Sequence, residues 1–131
     1  VADSFDISLV TPEKQVLDEK AAYVSMPAWD GQIGIAPQRA AIVVKLGDGP
    51  LRIEKQSGGE QSYFIASGFA QMKDNRLSVL TEEAIVSDDI DREAAQHDLD
   101  DVAESVPITD DEVTARDRKM NRAKTLLGMR A

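Results

Sequence analysis

The chain has 131 residues, 42% of them hydrophobic and 30% charged, with a net charge of −9. This is the composition of a soluble globular protein of one domain, or of one domain with a small appendage, and its core is large enough to fold without staples. With no cysteine there is no disulfide framework, thiolate zinc site or cysteine nucleophile, which fits a reducing compartment; the acidic balance excludes nucleic acid as the main partner, because phosphate binding needs a basic face.

The first residues, Val1-Ala2-Asp3-Ser4, carry neither a basic nor an apolar region, so no secretory signal is expected. From there to about residue 86 the chain reads as strands. Phe5, Ile7 and Leu9 alternate with Asp6 and Ser8, the period-2 pattern of a half-buried strand. Further strand-like runs are residues 15–17, 21–26, 32–35, 41–46, 51–55, 61–66, 69–73 and 76–80. Turn residues separate them: Thr11-Pro12, Asp30-Gly31, Gly47-Asp48-Gly49-Pro50, Ser57-Gly58-Gly59 and Asp74-Asn75. Short strands with turns at such intervals predict an antiparallel sandwich or barrel. Two hairpins stand out, one turning at Gly58-Gly59 and one at Asp74-Asn75. The longest apolar run, Ala40-Ala41-Ile42-Val43-Val44, is far too short to span a bilayer.

Composition changes near Ser87, which sets the expected boundary between a sandwich of residues 1–87 and a helical hairpin of residues 88–131. Asp88 or Asp89 is the expected cap of a first helix, with Asp91 and Glu93 in its first turn. Ala95, Leu99, Val102 and Val106 share one helical face, and Pro107 ends it. Thr109-Asp110-Asp111-Glu112 fits a capping box. In the second helix, predicted over residues 110–130, Val113, Met120 and Leu127 recur every seven residues with Ala123 between. A short Pro-containing turn implies antiparallel helices.

Charge is divided sharply along the chain. Residues 1–87 carry 12 acids and 8 bases; residues 88–112 carry 11 acids and only Arg92; residues 113–131 carry Asp117 against six bases, Arg116, Arg118, Lys119, Arg122, Lys124 and Arg130. Each exposed pair between the helices contributes only about 0–1 kcal/mol, and the apolar seam is thin. Either the hairpin is a static element packed on the sandwich, or it opens.

The residue inventory is poor in chemistry. His97, alone among Asp98, Asp100 and Asp101, reads as a solvated surface residue. Asp88, Asp89 and Asp91 lack the central glycine and terminal glutamate of a calcium loop. No phosphate-cradling glycine motif is present. Trp29, beside the turn Asp30-Gly31, either anchors a partner or covers the end of the sandwich; Arg39 is a surface cation or an interface contact.

The central segment Asp30-Gly31-Gln32-Ile33-Gly34-Ile35-Ala36-Pro37-Gln38-Arg39-Ala40-Ala41-Ile42 resembles the pattern [ED]-G-x-[IL]-G-[IVL]-x-P-x-[HR]-x-x-[IL] of the ε subunits of F-type ATP synthases (bacterial epsilon, mitochondrial delta). Leu9-Val10-Thr11-Pro12-Glu13, Leu51-Arg52-Ile53, Phe64-Ile65-Ala66-Ser67-Gly68-Phe69 and Leu77-Ser78-Val79-Leu80-Thr81-Glu82-Glu83-Ala84 are similar to further family segments, in order. The resemblance implies an α+β protein: an antiparallel β-sandwich of about ten strands, then a two-helix antiparallel hairpin. It implies a non-catalytic rotor subunit whose sandwich binds the γ subunit and the c-ring, peripheral to the membrane at the cytoplasmic face of a bacterial inner membrane or its organelle equivalent. It places Trp29, Asp30, Gln32 and Arg39 at the c-ring, in a loop from Trp29 to Arg39. It implies transient contact with the α and β subunits and inhibition of ATP hydrolysis by the hairpin, with Arg116, Arg118, Lys119, Arg122 and Lys124 meeting acidic β loops. The ATP motif I/L-D-x-x-R-A is degenerate: Ile90, Asp91 and Ala95 are kept, but Ala94 replaces its arginine and Arg92 is displaced, so ATP binding is expected to be weak or absent and no cofactor or metal is expected. The family histidine in the bend is Arg39 here. Two other readings are a free-standing nucleotide-sensing sandwich and a small barrel enzyme.

Overall fold

Apolar–polar alternation builds the first strand: in β1 (Phe5–Val10), Phe5, Ile7 and Leu9 are buried. The computed structural model describes residues 4–129; Arg130, counted among the bases above, lies outside them. Six more strands follow, β2 (Gln15–Ala28), β3 (Gly31–Ile35), β4 (Ile42–Leu46), β5 (Gly49–Lys55), β6 (Glu60–Lys73) and β7 (Arg76–Val86). After a 3-10 turn at Ser87–Asp89 come α1 (Arg92–Glu104) and α2 (Asp110–Gly128). The chain divides into two compact units at Val86/Ser87.

Seven strands replace the expected ten because three of them are long and bend between layers. The run 15–17 joins 21–26 in β2, and 61–66 joins 69–73 in β6. One layer holds the first half of β2, then β1, the first half of β7, the second half of β6 and β4. The other holds β3, the second half of β2, β5, the first half of β6 and the end of β7. Each layer thus has five strand segments, so the ten expected strands are segments of seven. The expected all-antiparallel pairing also needs correction. β1 lies between β2 and β7 and runs parallel to β7, with Ile7 opposite Leu77.

The bends have local causes. In β6, Ser67 and Gly68 take φ of 46° and 127°, and a Cβ on Gly68 would collide with the Leu80 carbonyl oxygen. Beside them the buried Thr81 hydroxyl lies 2.7 Å from the carbonyl oxygen of Ser67, 3.0 Å from that of Ala66 and 3.2 Å from that of Glu83. A hydroxyl has one proton, so it donates to one of them, and Ser67 is nearest. Between the layers Phe5, Ile7, Leu9, Met26, Ile35, Leu46, Leu51, Ile53, Ile65, Met72 and Leu77 form a core that excludes water almost completely. The β6–β7 turn, Asp74-Asn75, has φ of 52° and 58°, the left-handed pair that matches the strands' twist.

The hairpin departs from the sequence reading in three places. The cap of α1 is Asp91, not Asp88 or Asp89: its carboxylate accepts from Ala94 N at 3.0 Å. Val106 lies beyond the end of α1 and is 83% exposed. The buried α2 residues are Ala123 and Leu126, while Val113 is exposed; a seven-residue stripe drifts about 20° per repeat around a straight helix. The capping box forms, with Thr109 Oγ1 accepting from Glu112 N at 3.1 Å. Its return arm takes Glu112 Oε2 to Ile108 N at 2.8 Å, one residue before the cap.

Candidate functional site

The residues proposed for a ring contact lie along one sheet edge instead of in a single loop. Ala28 pairs with Gly31, so Trp29 and Asp30 are the two-residue tip of the β2–β3 hairpin. Trp29 N donates to Lys45 O at 3.0 Å, which fixes the tip's backbone, while the side chain is 72% exposed. That exposure rules out Trp29 as a cover for the end of the sandwich. Gln32 sits in β3 opposite Pro27, with Oε1 accepting from the Ser25 hydroxyl at 3.0 Å. Arg39 follows the far end of β3. The strand's five residues put roughly 17 Å between the hairpin tip and the Arg39 bend. The bend is anchored elsewhere: Gln38 N donates to Asn75 Oδ1 at 2.7 Å, and Asn75 Nδ2 donates to Ser4 O at 2.9 Å. Among the described residues β3 pairs with β2 alone and is an edge strand.

On the outer face of the other layer an apolar row was missed by sequence reasoning. Phe69 pairs with Leu80, and Leu80 with Val10. Phe69 and Leu80 are each 56% exposed, and Val43 on β4 is also exposed. A groove of about 410 Å³ runs beside them, lined by Val10, Pro12, Phe69 and Leu80 and by Thr11 and Glu82. The available signal was the adjacent apolar pairs Phe69-Ala70 and Val79-Leu80: in an alternating strand, one member of such a pair must face outward.

The basic residues of α2 do not form a single face. Arg116, Lys119 and Arg122 follow one another at three-residue spacing, while Arg118 and Lys124 lie off that line. Lys119 Nζ stands 3.5 Å from Asp101 Oδ2, and Arg116 Nε donates to Val102 O at 3.3 Å. Arg118 and Arg122 also have interactions within the chain. Of the degenerate ATP motif, Asp91 is engaged as the cap of α1, Ala94 is exposed and Ala95 is buried. Arg92, noted from sequence as the single base of residues 88–112 and as displaced from the motif, donates to Leu127 O at 2.7 Å and to Met129 O.

One phenol is perturbed. Tyr63 is held above its ordinary value, first by burial and then by the negative charge of Glu19. Glu19 Oε1 is buried without a hydrogen bond. Lys55 Nζ stands 3.8 Å away, so their interaction is ionic. His97 is exposed, and among the described residues no acidic or histidine cluster has metal-binding geometry.

The family described as ATP synthase, Delta/Epsilon chain, beta-sandwich domain matches residues 4–87. This chain belongs to that family. An ATP synthase epsilon chain of Rhodopirellula baltica is 36% identical over 116 residues, 88% of this chain and 90% of the relative. An ATP synthase epsilon chain of Pelagibacter ubique is 33% identical over 130 residues, 96% of this chain and 99% of the relative, so its similarity extends through the helical hairpin. A chain in the solved Euglena gracilis mitochondrial ATP synthase OSCP/F1/c-ring assembly superposes with a TM-score of 0.87 at 22% identity, over 96% of this chain and 81% of that one. At that identity the likeness concerns the fold: a sandwich followed by two helices.

Proposed function

We propose that the chain is a central-stalk subunit of an F-type ATP synthase, without catalysis of its own, that joins the γ subunit to the c-ring. The carrying observation is family similarity over sandwich and hairpin together, 96% of the chain against an epsilon chain of nearly equal length. Physical features favour the same reading. The exposed row Val10, Leu80 and Phe69 is an apolar surface suited to a protein partner, and γ is the partner it fits. The edge formed by Trp29, Asp30, Gln32 and Arg39 offers an aromatic and polar side chains to the polar loops of a ring. The lack of an active site rests on the inventory: no cysteine and one histidine.

The hairpin acts as a brake on ATP hydrolysis when it opens and presents Arg116, Arg118, Lys119, Arg122 and Lys124 to acidic loops of the β subunits. ATP itself binds weakly or not at all, because Asp91 and Arg92 are engaged within the hairpin and Ala94 carries no charge. No helix among the described residues is long and apolar enough to cross a membrane. The central-stalk reading itself gives peripheral attachment, through the complex, at the cytoplasmic face of a bacterial inner membrane or its organelle equivalent.

The test is ATP hydrolysis by the cognate catalytic head containing γ, titrated with the full chain and with a chain ending at Ser87. Saturable binding of both, with stronger inhibition by the full chain, is the expected result. Failure of both to bind γ would overturn the assignment.

A further inference from the structure

The two helices of the hairpin lack something that each obtains from the other. A helix C-terminus carries unsatisfied carbonyls and a partial negative charge, which a cation in the last turn normally offsets. Neither α1 nor α2 has a basic residue in its last turn. The end of α1 is worse than bare, since Asp100, Asp101 and Glu104 add carboxylates to the negative pole. The missing cations come across the hairpin. Arg92, the first residue of α1, donates to Leu127 O and Met129 O at the end of α2. Arg116, in the first half of α2, donates at 3.3 Å to Val102 O at the end of α1, a carbonyl that also accepts from Ser105 N and Oγ, so what Arg116 adds there is positive charge. Lys119 joins it by standing 3.5 Å from Asp101.

We propose that Arg92 and Arg116 form a reciprocal latch, each capping the C-terminus of the opposite helix, and that this latch sets how often the hairpin opens. The apolar seam that the latch supplements is small: Ala95 and Val102 on α1, Ala123 and Leu126 on α2 and Met129 just beyond it are buried, with Leu99, Met120 and Leu127 half-buried. Two charged caps therefore carry a large share of closure. Opening leaves α1 with an uncompensated acidic end, and a helix of 13 residues is marginal alone in water. The open state thus has a frayed α1 and a freed Arg116. In its consequence for hydrolysis the inference rests on the brake reading: Arg116 and Lys119 serve either α1 or a β subunit, never both at once. Arg92 has no such second use, so it biases the hairpin without touching the partner.

The chain has no cysteine, so Ala123→Cys, 1% exposed in the closed hairpin, is a lone thiol whose labelling rate reads opening. On that background of the full chain, Arg92→Gln and Arg116→Gln should each raise the labelling rate roughly fivefold, and the double variant more than either. Arg92→Lys and Arg116→Lys keep the charge at the helix ends and should fall between, which separates lost capping from general unfolding. Circular dichroism checks that helix content survives in each variant. Unchanged labelling in the double glutamine variant overturns the latch, as does labelling by the lysine variants as fast as by the glutamine ones. The same variants are then assayed on the catalytic head containing γ. Stronger inhibition by Arg92→Gln supports both latch and brake; faster labelling with unchanged hydrolysis supports the latch and removes the brake.

Discussion

Thr81→Val is the most direct test of how the sandwich turns its corner. Valine matches threonine in shape, so the substitution opens no cavity and isolates the hydroxyl. Thr81 is 4% exposed, and its proton goes to a carbonyl 2.7 Å away with two more within 3.2 Å. Removing the donor leaves that partly buried acceptor facing a methyl group, at a cost of about 2 kcal/mol. With a urea slope of about 1.5 kcal/mol per molar, the unfolding midpoint should fall by roughly 1.3 M, with the slope unchanged. Near-UV circular dichroism of the buried Tyr63 follows the transition. Thr81→Ser keeps the hydroxyl, loses one methyl, and should lose less than half as much. Equal midpoints for Thr81→Val and the parent would refute the idea that this hydroxyl holds the bend; a serine variant as weak as the valine one would shift the cause to packing.

Three further outcomes are expected. The double variant Phe69→Ser/Leu80→Ser removes two half-exposed apolar side chains and should weaken γ binding roughly 50-fold, at about 1.2 kcal/mol each, read by titration calorimetry, without changing urea stability. Tyr63→Phe should flatten the alkaline limb of stability: below about pH 10 both states hold the proton, and as pH rises past that value the unfolded chain releases it while the folded chain still keeps it. Stability of the parent therefore falls through that window, and the difference between parent and variant, followed by urea midpoints at successive pH values, isolates Tyr63. Thr109→Ala removes the acceptor for Glu112 N and should cost about 1 kcal/mol, seen as faster amide exchange in the first turn of α2 with sandwich exchange unaffected.

Features fixed by neighbouring residues were legible in the sequence. Gly58-Gly59 and Asp74-Asn75 announce hairpin turns because their backbones need positive φ, and Thr109 with Glu112 announces a helix start. Features set by distant partners were not. The charged residues Asp18, Glu19 and Lys20 read as a break between two strands, but their backbones pair with β1 at Ser8, Ile7 and Asp6, so the strand continues. The parallel placement of β1 beside β7 joins segments about 70 residues apart and leaves no local trace. Three aspartates near Ser87 compete to cap α1, and only side-chain geometry selects Asp91. The segment from Trp29 to Arg39 is continuous as a motif, yet a strand runs through its middle and carries its ends apart. Arg92 stood out in sequence as a lone base among acids and as displaced from a motif position; its role depends on the register of a helix that begins 18 residues later.

The contrast between the two units follows from what each uses for cohesion. The sandwich closes over Phe5, Ile7, Met26, Leu51, Ile65 and Met72, all at or near zero exposure, and its bends are fixed by a glycine that tolerates no Cβ and a hydroxyl that meets freed carbonyls. Burial of that kind is not weakened by ionic screening or by nearby charge, so the unit suits the transmission of force. The hairpin closes over two alanines, one valine, one leucine and Met129, with arginines across its ends. Alanine has little area to bury, so its share of closure is small, while the arginine caps are exposed or partly so and weaken as salt rises. A larger apolar seam would hold the helices shut against any partner, and a seam with no caps would leave the acidic end of α1 to unravel. On the proposed brake reading, the charge split between residues 88–112 and 113–131 is the chemistry of a closure that an acidic partner surface displaces.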